Sequence, residues 1–225
     1  MGRHETISKS RWEETQRWQA DYWHGAAHFD SQCSAGSGYL PLLQRFAAEV
    51  PADGCVMEIG CGPVCLAREI AQGRKIYVDP LIELYRRSYP GKLPKGESLN
   101  AMAESIPKPD ASCDMILCLN TINYVLNPEL AIDEMERLLK PGGILALSLT
   151  TFPPLVARVR YFIERFLPPL RTDSCPYYYT RAGIERTLLR HFDIVESQRI
   201  EGLFLDHISN QNMLYICRQR TGPHR

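Results

Sequence analysis

Short apolar segments alternate with amphipathic segments from about residue 40 to the end of the chain. Six of the apolar segments are rich in aliphatic or β-branched residues and are bounded by Gly, Pro, Asp or Asn. They predict strands at 55–59, 75–78, 113–119, 144–149, 192–198 and 213–218. Helical spacing of apolar residues predicts helices at 40–50, 64–72, 81–88, 128–139 and 181–190. This alternation favours an α/β fold built on a parallel sheet.

Two segments lie outside this alternation. The first is the N-terminus, residues 1–39, where aromatic residues and histidines are crowded before a turn rich in serine and glycine. The second is a proline-bracketed insertion at 152–170, whose apolar residues fall on one face of a helix while most of its charges fall elsewhere. We expect an aromatic-rich helical lid at 1–39 and one domain at 40–225 that carries the insertion. For the insertion, a substrate lid, a dimer contact, a membrane-surface helix and core packing remain open.

The composition indicates a soluble globular protein. The chain has 225 residues, with 26 Lys+Arg against 26 Asp+Glu, so its formal net charge is zero and nothing pulls it toward polyanions. Its apolar stretches are far shorter than the ~20 residues of a membrane-spanning helix, and its start lacks the apolar core of a secretory signal. We therefore expect a cytoplasmic protein with reduced cysteines. No metal site is expected, because Cys61 and Cys65 lack further ligands at the usual spacing.

The clearest chemical motif follows the first predicted strand. Glu58-Ile59-Gly60-Cys61-Gly62 ends that strand, and a helix is predicted to begin directly afterwards. Glycines permit a tight turn and the close approach of a ligand, and a helix start presents free N–H groups, so the segment is typical of a nucleotide-type site. An NAD-binding G-x-G-x-x-G fingerprint would need a third glycine where Cys65 stands, and it does not normally carry an acid at the position of Glu58.

An acid two residues before the first glycine resembles motif I of the class I S-adenosylmethionine-dependent methyltransferases, and the likeness continues along the chain. Asp79 ends the second strand where that family places the acid that holds the ribose hydroxyls. Residues 102–107 resemble the adenine loop, and residues 136–147 resemble a helix, turn and fifth strand of the small-molecule, methyltransferase type 11-like members. The resemblance implies a Rossmann-like, doubly wound, mostly parallel seven-stranded sheet with helices on both faces. It also implies S-adenosyl-L-methionine as the cofactor.

The resemblance assigns cofactor-binding positions to the glycine loop, the end of the second strand, the adenine loop and the end of the fourth strand. These positions are Glu58, Gly60, Cys61, Gly62, Asp79, Pro80, Met102, Ala103, Glu104, Cys118 and Leu119. One position departs from the family, where an Asp that contacts the adenine amino group often stands at the place of Met102. Adenine recognition would therefore rest more on the backbone around Ala103 and on Glu104.

The residues after the fourth strand face the acceptor in the resembled family, and here they include Asn120, Asn123 and Tyr124. None is a strong base at neutral pH, so we interpret them as positioning groups near the methyl, with capping and packing of a helix start as the alternative for Asn123 and Tyr124. His24 and His28 are the candidates for a general base, because the N-terminal segment commonly folds over the cofactor in this family and the histidine pKa suits proton transfer. A packed surface position is the alternative for both histidines.

Together these features predict methyl transfer from S-adenosylmethionine to a small or medium, partly apolar organic acceptor by in-line displacement. An RNA or protein methyltransferase is one alternative, although the neutral net charge makes nucleic acid an unexpected partner. A non-catalytic S-adenosylmethionine-binding protein is another. Formation of a homodimer and a weak contact with a membrane surface both remain open.

Overall fold

A computed structural model describes residues 6–24, 36–171, 175–200 and 210–220 of the chain. Its centre is a seven-stranded sheet with the strand order β3-β2-β1-β4-β5-β7-β6. The strands are β1 (Cys55–Ile59), β2 (Arg74–Val78), β3 (Glu97–Leu99), β4 (Cys113–Leu119), β5 (Leu139–Thr151), β6 (Phe192–Ile200) and β7 (Gln211–Gln219). The neighbours from β3 to β5 pair in parallel, and β7 runs antiparallel to both β5 and β6.

Helices cover both faces of this sheet. In the described ranges the α-helices are α1 (Lys9–Tyr22), α2 (Leu40–Ala47), α3 (Ile82–Ser88), α4 (Pro128–Leu138), α5 (Pro154–Phe166) and α6 (Arg181–His191). Asn127 caps α4 by accepting hydrogen bonds from the N–H groups of Glu129 and Leu130, and Thr180 caps α6 in the same way. Both helix starts therefore lie where the sequence predicts them.

The predicted α/β class and the mostly parallel seven-stranded sheet are confirmed. β3 is not predicted from the sequence, because it is three residues long, has no buried side chain and so lacks an apolar run. β5 is longer than the predicted 144–149, because the turn at 140–143 is itself drawn into the sheet and Leu139 pairs with Cys113.

The prediction of a helix at 64–72 is wrong. Only a 3₁₀ turn, Leu66–Glu69, forms there. Cys65 before it has a left-handed backbone (φ 52°), and Ile70 after it is already extended, so no second helical turn can follow. The N–H groups of Leu66 and Ala67 are instead bound by the carboxylate of Glu58.

Two buried apolar clusters fill the space between the sheet and its helices. One lies under α4 and α6, and the other lies under α2 and α3. β1 is buried along its whole length, as expected for a strand with helices on both sides. No helix within the described ranges combines the length and the apolar character needed to cross a membrane.

The insertion helix, α5, lies outside both clusters. Ala157 is its buried residue, and it packs with Cys175 and Tyr178. The opposite side of α5 leaves large apolar side chains exposed, among them Leu155 and Phe166. Its amphipathic pattern therefore does not place α5 in the core of the domain.

Candidate functional site

A cavity of about 670 Å³ opens at the edge of the sheet where the parallel strands end. It lies across β1 and β4, where the strand order reverses, since β2 follows β1 on one side and β4 lies on the other. Ligands of open α/β sheets bind at this kind of reversal point. The loops after β1, β2, β4 and β5 supply its walls.

The glycine loop after β1 has a backbone that glycine adopts readily. Gly60 and Gly62 have positive φ angles of 67° and 53°. At Gly60 an added Cβ would also lie 2.2 Å from the side chain of Thr121, so no larger residue fits. The Gly60 N–H donates to the carbonyl of Val78 at 2.7 Å, which ties the loop to the end of β2. Gly60, Cys61 and Gly62 all line the cavity.

Glu58 is buried beneath this loop and also lines the cavity. Its carboxylate accepts hydrogen bonds from the N–H groups of Leu66 (3.1 Å) and Ala67 (2.7 Å). Burial raises the pKa of Glu58 to about 7, against the effect of these two hydrogen bonds, which favour the charged form. Glu58 therefore fixes the turn after the glycine loop and places a titratable carboxyl group at the cavity.

Asp79 stands at the end of β2 and is buried as well. One carboxylate oxygen accepts the Gly62 N–H at 3.0 Å, and the other accepts the Leu81 N–H at 2.8 Å. Burial raises the pKa of Asp79 to about 6. The side chain thus connects the glycine loop to the start of α3, and Pro80 lines the same wall.

The predicted adenine loop forms the next wall through Met102, Ala103 and Glu104. Met102 and Ser105 form a β-bridge that closes this loop. The carboxylate of Glu104 accepts the N–H of Asn127 at 2.8 Å, so the start of α4 holds it in place. At Met102 the chain presents a thioether where the family often has a carboxylate.

Asn120 follows β4 and has a left-handed backbone, with φ 51°. Its Nδ2 donates to the Tyr39 hydroxyl at 2.8 Å, its Oδ1 accepts from Asn212, and its N–H donates to the Ser148 hydroxyl at 3.0 Å. The Tyr39 hydroxyl in turn donates to Asn212 at 3.0 Å, and burial raises the pKa of Tyr39 to about 12. This neutral network holds Asn120 at the wall of the cavity.

Tyr39 and Asn212 line the cavity but are not among the residues that the sequence predicts for the site. Asn212 is a buried amide within the apolar strand β7, and that contrast is a signal that could have found it. Tyr39 gives no such signal, because a tyrosine before an amphipathic helix is equally typical of a core. Asn212 reaches the cavity because β7 pairs with β5, and a single sequence motif does not show that pairing.

Asn123 and Tyr124 lie on the 3₁₀ turn Ile122–Tyr124, and both line the cavity. Asn123 is buried, and its Nδ2 donates to the carbonyl of Tyr177 at 2.8 Å. That hydrogen bond holds the segment that brings Cys175 to the wall. Asn123 therefore has a packing task in addition to its place at the cavity.

Two predicted site residues, Cys118 and His24, do not line the cavity. Cys118 is buried in the apolar cluster under α4, because side chains alternate along β4, while the neighbouring Leu119 does line the cavity. His24 is exposed just after α1 and does not line the cavity. His28 lies outside the described residues.

α1 and α5 lie over the cavity on the side away from the sheet. Trp12 and Gln16 line it from α1, and Val156 and Arg160 line it from α5. Trp23, just after α1, also lines it and packs edge-on against Tyr85 of α3, with 6.4 Å between ring centroids.

An ion pair joins these two helices. Arg11 Nε lies 2.7 Å from Glu164 Oε1, and the second bond of the fork, from Nη2 to Oε2, is 3.2 Å long. The side chains of Arg11 and Glu164 are only 5% and 11% exposed. Arg171 places a second guanidinium 3.3 Å from the same carboxylate. The two helices over the cavity are therefore connected to each other.

The charged groups of the lining are divided between its two sides. Glu58, Asp79 and Glu104 belong to the side formed by β1, β2 and the adenine loop. In the part of the lining that the structure describes, Arg160 is the one cationic side chain, and it comes from α5. The surfaces near α5 are aromatic and aliphatic and come from Tyr124, Phe152 and Val156.

Comparison with known proteins identifies the class. Residues 57–147 match a family model described as a methyltransferase domain. The chain is 31% identical over 137 residues to the ubiquinone/menaquinone biosynthesis C-methyltransferase UbiE of Syntrophotalea carbinolica, which covers 56% of this chain and 58% of that protein. It is 29% identical over 138 residues to the ubiquinone biosynthesis O-methyltransferase of Xylella fastidiosa, with 56% of each chain covered. The chain thus spans little more than half the length of these two relatives.

Solved structures show the same fold over more of the chain. The PH0226 protein of Pyrococcus horikoshii has a TM-score of 0.64 at 16% identity and covers 92% of this chain and 99% of its own. The YcgJ protein of Bacillus has a TM-score of 0.64 at 18% identity and covers 82% and 99%. The fold is therefore that of these solved structures, and residues 57–147 are similar to a methyltransferase domain.

Proposed function

We propose that this chain transfers a methyl group from S-adenosylmethionine to a small or medium, partly apolar organic acceptor. The observation that carries the proposal is that one cavity joins a side with the glycine loop and three carboxyl groups to a side lined by Tyr124, Phe152 and Val156. The first side suits a polar cofactor with positive charge, and the second suits an apolar acceptor. Because both sides belong to one cavity, donor and acceptor would lie next to each other.

The groups on the polar side fit S-adenosylmethionine in their chemistry. Carboxylates accept protons from ribose hydroxyls and complement an ammonium group, and glycines leave room beside the backbone. We assign the cofactor to Glu58, Gly60, Cys61, Gly62, Asp79, Pro80, Met102, Ala103, Glu104 and Leu119. When bound, the cofactor supplies an electrophilic methyl group on a positively charged sulfur.

The contribution of the chain to an in-line displacement is orientation and the exclusion of water. Holding two reactants in a reactive geometry can supply on the order of 7–11 kcal/mol of the barrier. α1 and α5 lie over the cavity and are tied together by Arg11 and Glu164. We propose that this pair of helices is the lid that keeps water from the reacting groups.

Besides the guanidinium of Arg160, the polar groups assigned to the acceptor side are amides and hydroxyls, and such groups orient an acceptor rather than deprotonate it. They come from Asn120, Asn123, Tyr124 and Thr150. Asn120 is fixed by its bonds to Tyr39 and Ser148, so it offers a rigid contact. We therefore assign Asn120, Asn123 and Tyr124 to positioning and assign no role in proton transfer to His24, which is exposed.

Two features favour a small acceptor over RNA or a protein. The cavity of about 670 Å³ lies within the range of small-molecule sites, roughly 300–1,000 Å³. The formal net charge of zero offers no general attraction to a polyanion. Two relatives are named for ubiquinone or menaquinone biosynthesis, which agrees with a small acceptor that is largely apolar.

Isothermal titration of the purified protein with S-adenosylmethionine, S-adenosylhomocysteine and NAD tests the cofactor. We expect saturable binding of the first two and none of NAD. Binding of NAD alone, or binding of none of the three, would contradict the cofactor assignment.

Transfer of a labelled methyl group tests the acceptor. The protein is incubated with methyl-labelled S-adenosylmethionine and a cell extract, and label is counted in the organic phase and in the RNA and protein fractions. We expect label in the organic phase. Label in RNA or protein would contradict the acceptor class, and cofactor binding without any transfer would favour the non-catalytic alternative.

A further inference from the structure

We infer that the acceptor carries a carboxylate and that Arg160 binds it. This inference rests on the proposed function, because it concerns the acceptor side of the same cavity. Within the described lining Arg160 is the one cationic side chain. S-adenosylmethionine carries a carboxylate as well as its sulfonium and ammonium groups, but the residues assigned to it lie at or after the ends of β1, β2, β3 and β4, whereas Arg160 comes from α5, which follows β5. The charge of Arg160 therefore suits the second substrate.

The position of Arg160 is set by an aromatic wall. Its guanidinium carbon lies 5.7 Å from the ring centroid of Tyr178, within the range of a cation–π contact. Tyr178 packs edge-on against Phe152 at 5.2 Å between ring centroids, and Phe152 lines the cavity. Val156, one helical turn before Arg160, lines it too, so one face of α5 supplies both an apolar surface and the charge.

This combination of groups selects a chemical class. Aromatic and aliphatic side chains bury an apolar ring favourably, and they offer little to a charged group by themselves. A guanidinium presents a planar fork of N–H donors that matches the two oxygens of a carboxylate. An apolar ring system that bears one carboxylate complements the wall and the charge of the arginine together.

The test uses the full chain saturated with S-adenosylhomocysteine and two matched probes, 2-naphthoate and 2-naphthamide. The probes share their fused rings and differ in the charge of one substituent. By isothermal titration we expect 2-naphthoate to bind about 10- to 100-fold more tightly, the range expected for a hydrogen bond to a charged group.

Three variants assign the preference to one side chain. Arg160→Met keeps most of the aliphatic stem and should abolish the preference while leaving the affinity for S-adenosylhomocysteine unchanged. Arg160→Lys keeps the charge without the fork and should retain an intermediate preference. Arg158→Met is the matched control, because Arg158 is exposed on the same helix and does not line the cavity. It should keep the full preference.

Equal binding of the two probes, or no binding of either, would overturn the inference. Loss of the preference in Arg158→Met as well would also overturn it, because the general charge of α5 would then be the cause. S-adenosylhomocysteine binding with no preference for 2-naphthoate rejects only the acidic acceptor. Failure to bind S-adenosylhomocysteine rejects the proposed function itself.

Discussion

At the scale of single residues, two buried carboxyl groups combine a structural bond with a place at the cavity. Glu58 and Asp79 each accept two backbone N–H groups, and burial raises the pKa of both. Burial and hydrogen bonding therefore act on the same groups in opposite directions. Substitutions that keep the shape of these side chains separate the two effects.

Asp79→Asn should weaken S-adenosylhomocysteine binding about 10- to 100-fold, the scale of a lost hydrogen bond to a charged group. The amide keeps the size of the side chain but accepts with one oxygen only, so it cannot also serve a ribose hydroxyl as the carboxylate would. Titration calorimetry measures the change. Asp110→Asn is the control, since the side chain of Asp110 is 80% exposed, and it should bind as the unchanged protein does. An unaltered affinity in a folded Asp79→Asn variant would rule out the ribose assignment.

Glu58→Gln should change how stability depends on pH. Because the folded pKa of Glu58 is about 7 and its ordinary value is 4.5, the folded state binds more protons than the unfolded state between these values. Stability that is present below pH 4.5 is therefore lost as the pH rises toward 7. Glutamine does not titrate. Between pH 4.5 and 7, the unfolding free energy of the unchanged protein should therefore fall by about 3 kcal/mol relative to that of the variant. Urea unfolding at a series of pH values measures this difference, and a constant difference would contradict the buried titration.

At the scale of elements, the parts that the sequence predicts are those with a local signal. Apolar runs locate six strands, and the motif around Gly60 locates the glycine loop that lines the cavity. The helix at 64–72 fails because the left-handed Cys65 is a property of the folded loop, and an apolar pattern does not report it. Tyr39 and Asn212 meet Asn120 only after distant segments come together, so a local pattern can single out Asn212 as polar in an apolar strand but cannot place either residue beside Asn120.

The ion pair between α1 and α5 should contribute more to stability than a surface pair does. Glu164→Gln takes this carboxylate from Arg11 and Arg171, which keep Glu14 at 3.3 and 3.9 Å, so the cost should lie between that of a surface pair and the about 3–5 kcal/mol of a buried charge left without a partner. Unfolding in urea, followed by tryptophan emission, measures the loss. Lys9→Met is the control, since Lys9 and its partner Glu13 are 82% and 48% exposed and such pairs contribute about 0–1 kcal/mol. Equal effects of the two variants would show that the buried pair does not hold the helices together.

At the scale of the whole molecule, helix α1 over the cavity and the sheet beneath it are stabilised by different contacts. The residues that α1 buries are Arg11 and Thr15, both polar, whereas the sheet is packed between two large apolar clusters. Local stability follows the amount of buried apolar contact, so α1 should separate from the domain before the sheet unfolds. A ligand held between the two would oppose that separation.

The tryptophans make this order measurable. The chain has three, at positions 12, 18 and 23, so all of them lie on α1 or directly after it, while circular dichroism reports the helices and strands of the whole domain. Without ligand, the transition of tryptophan emission should occur at lower urea than the transition of circular dichroism. S-adenosylhomocysteine at about 100 times its dissociation constant stabilises the state with α1 packed on the domain by about 2.7 kcal/mol. The two transitions should then occur at the same urea concentration. Coincident transitions without ligand would mean that α1 unfolds with the sheet, and the helix would then be a fixed wall of the cavity rather than a lid.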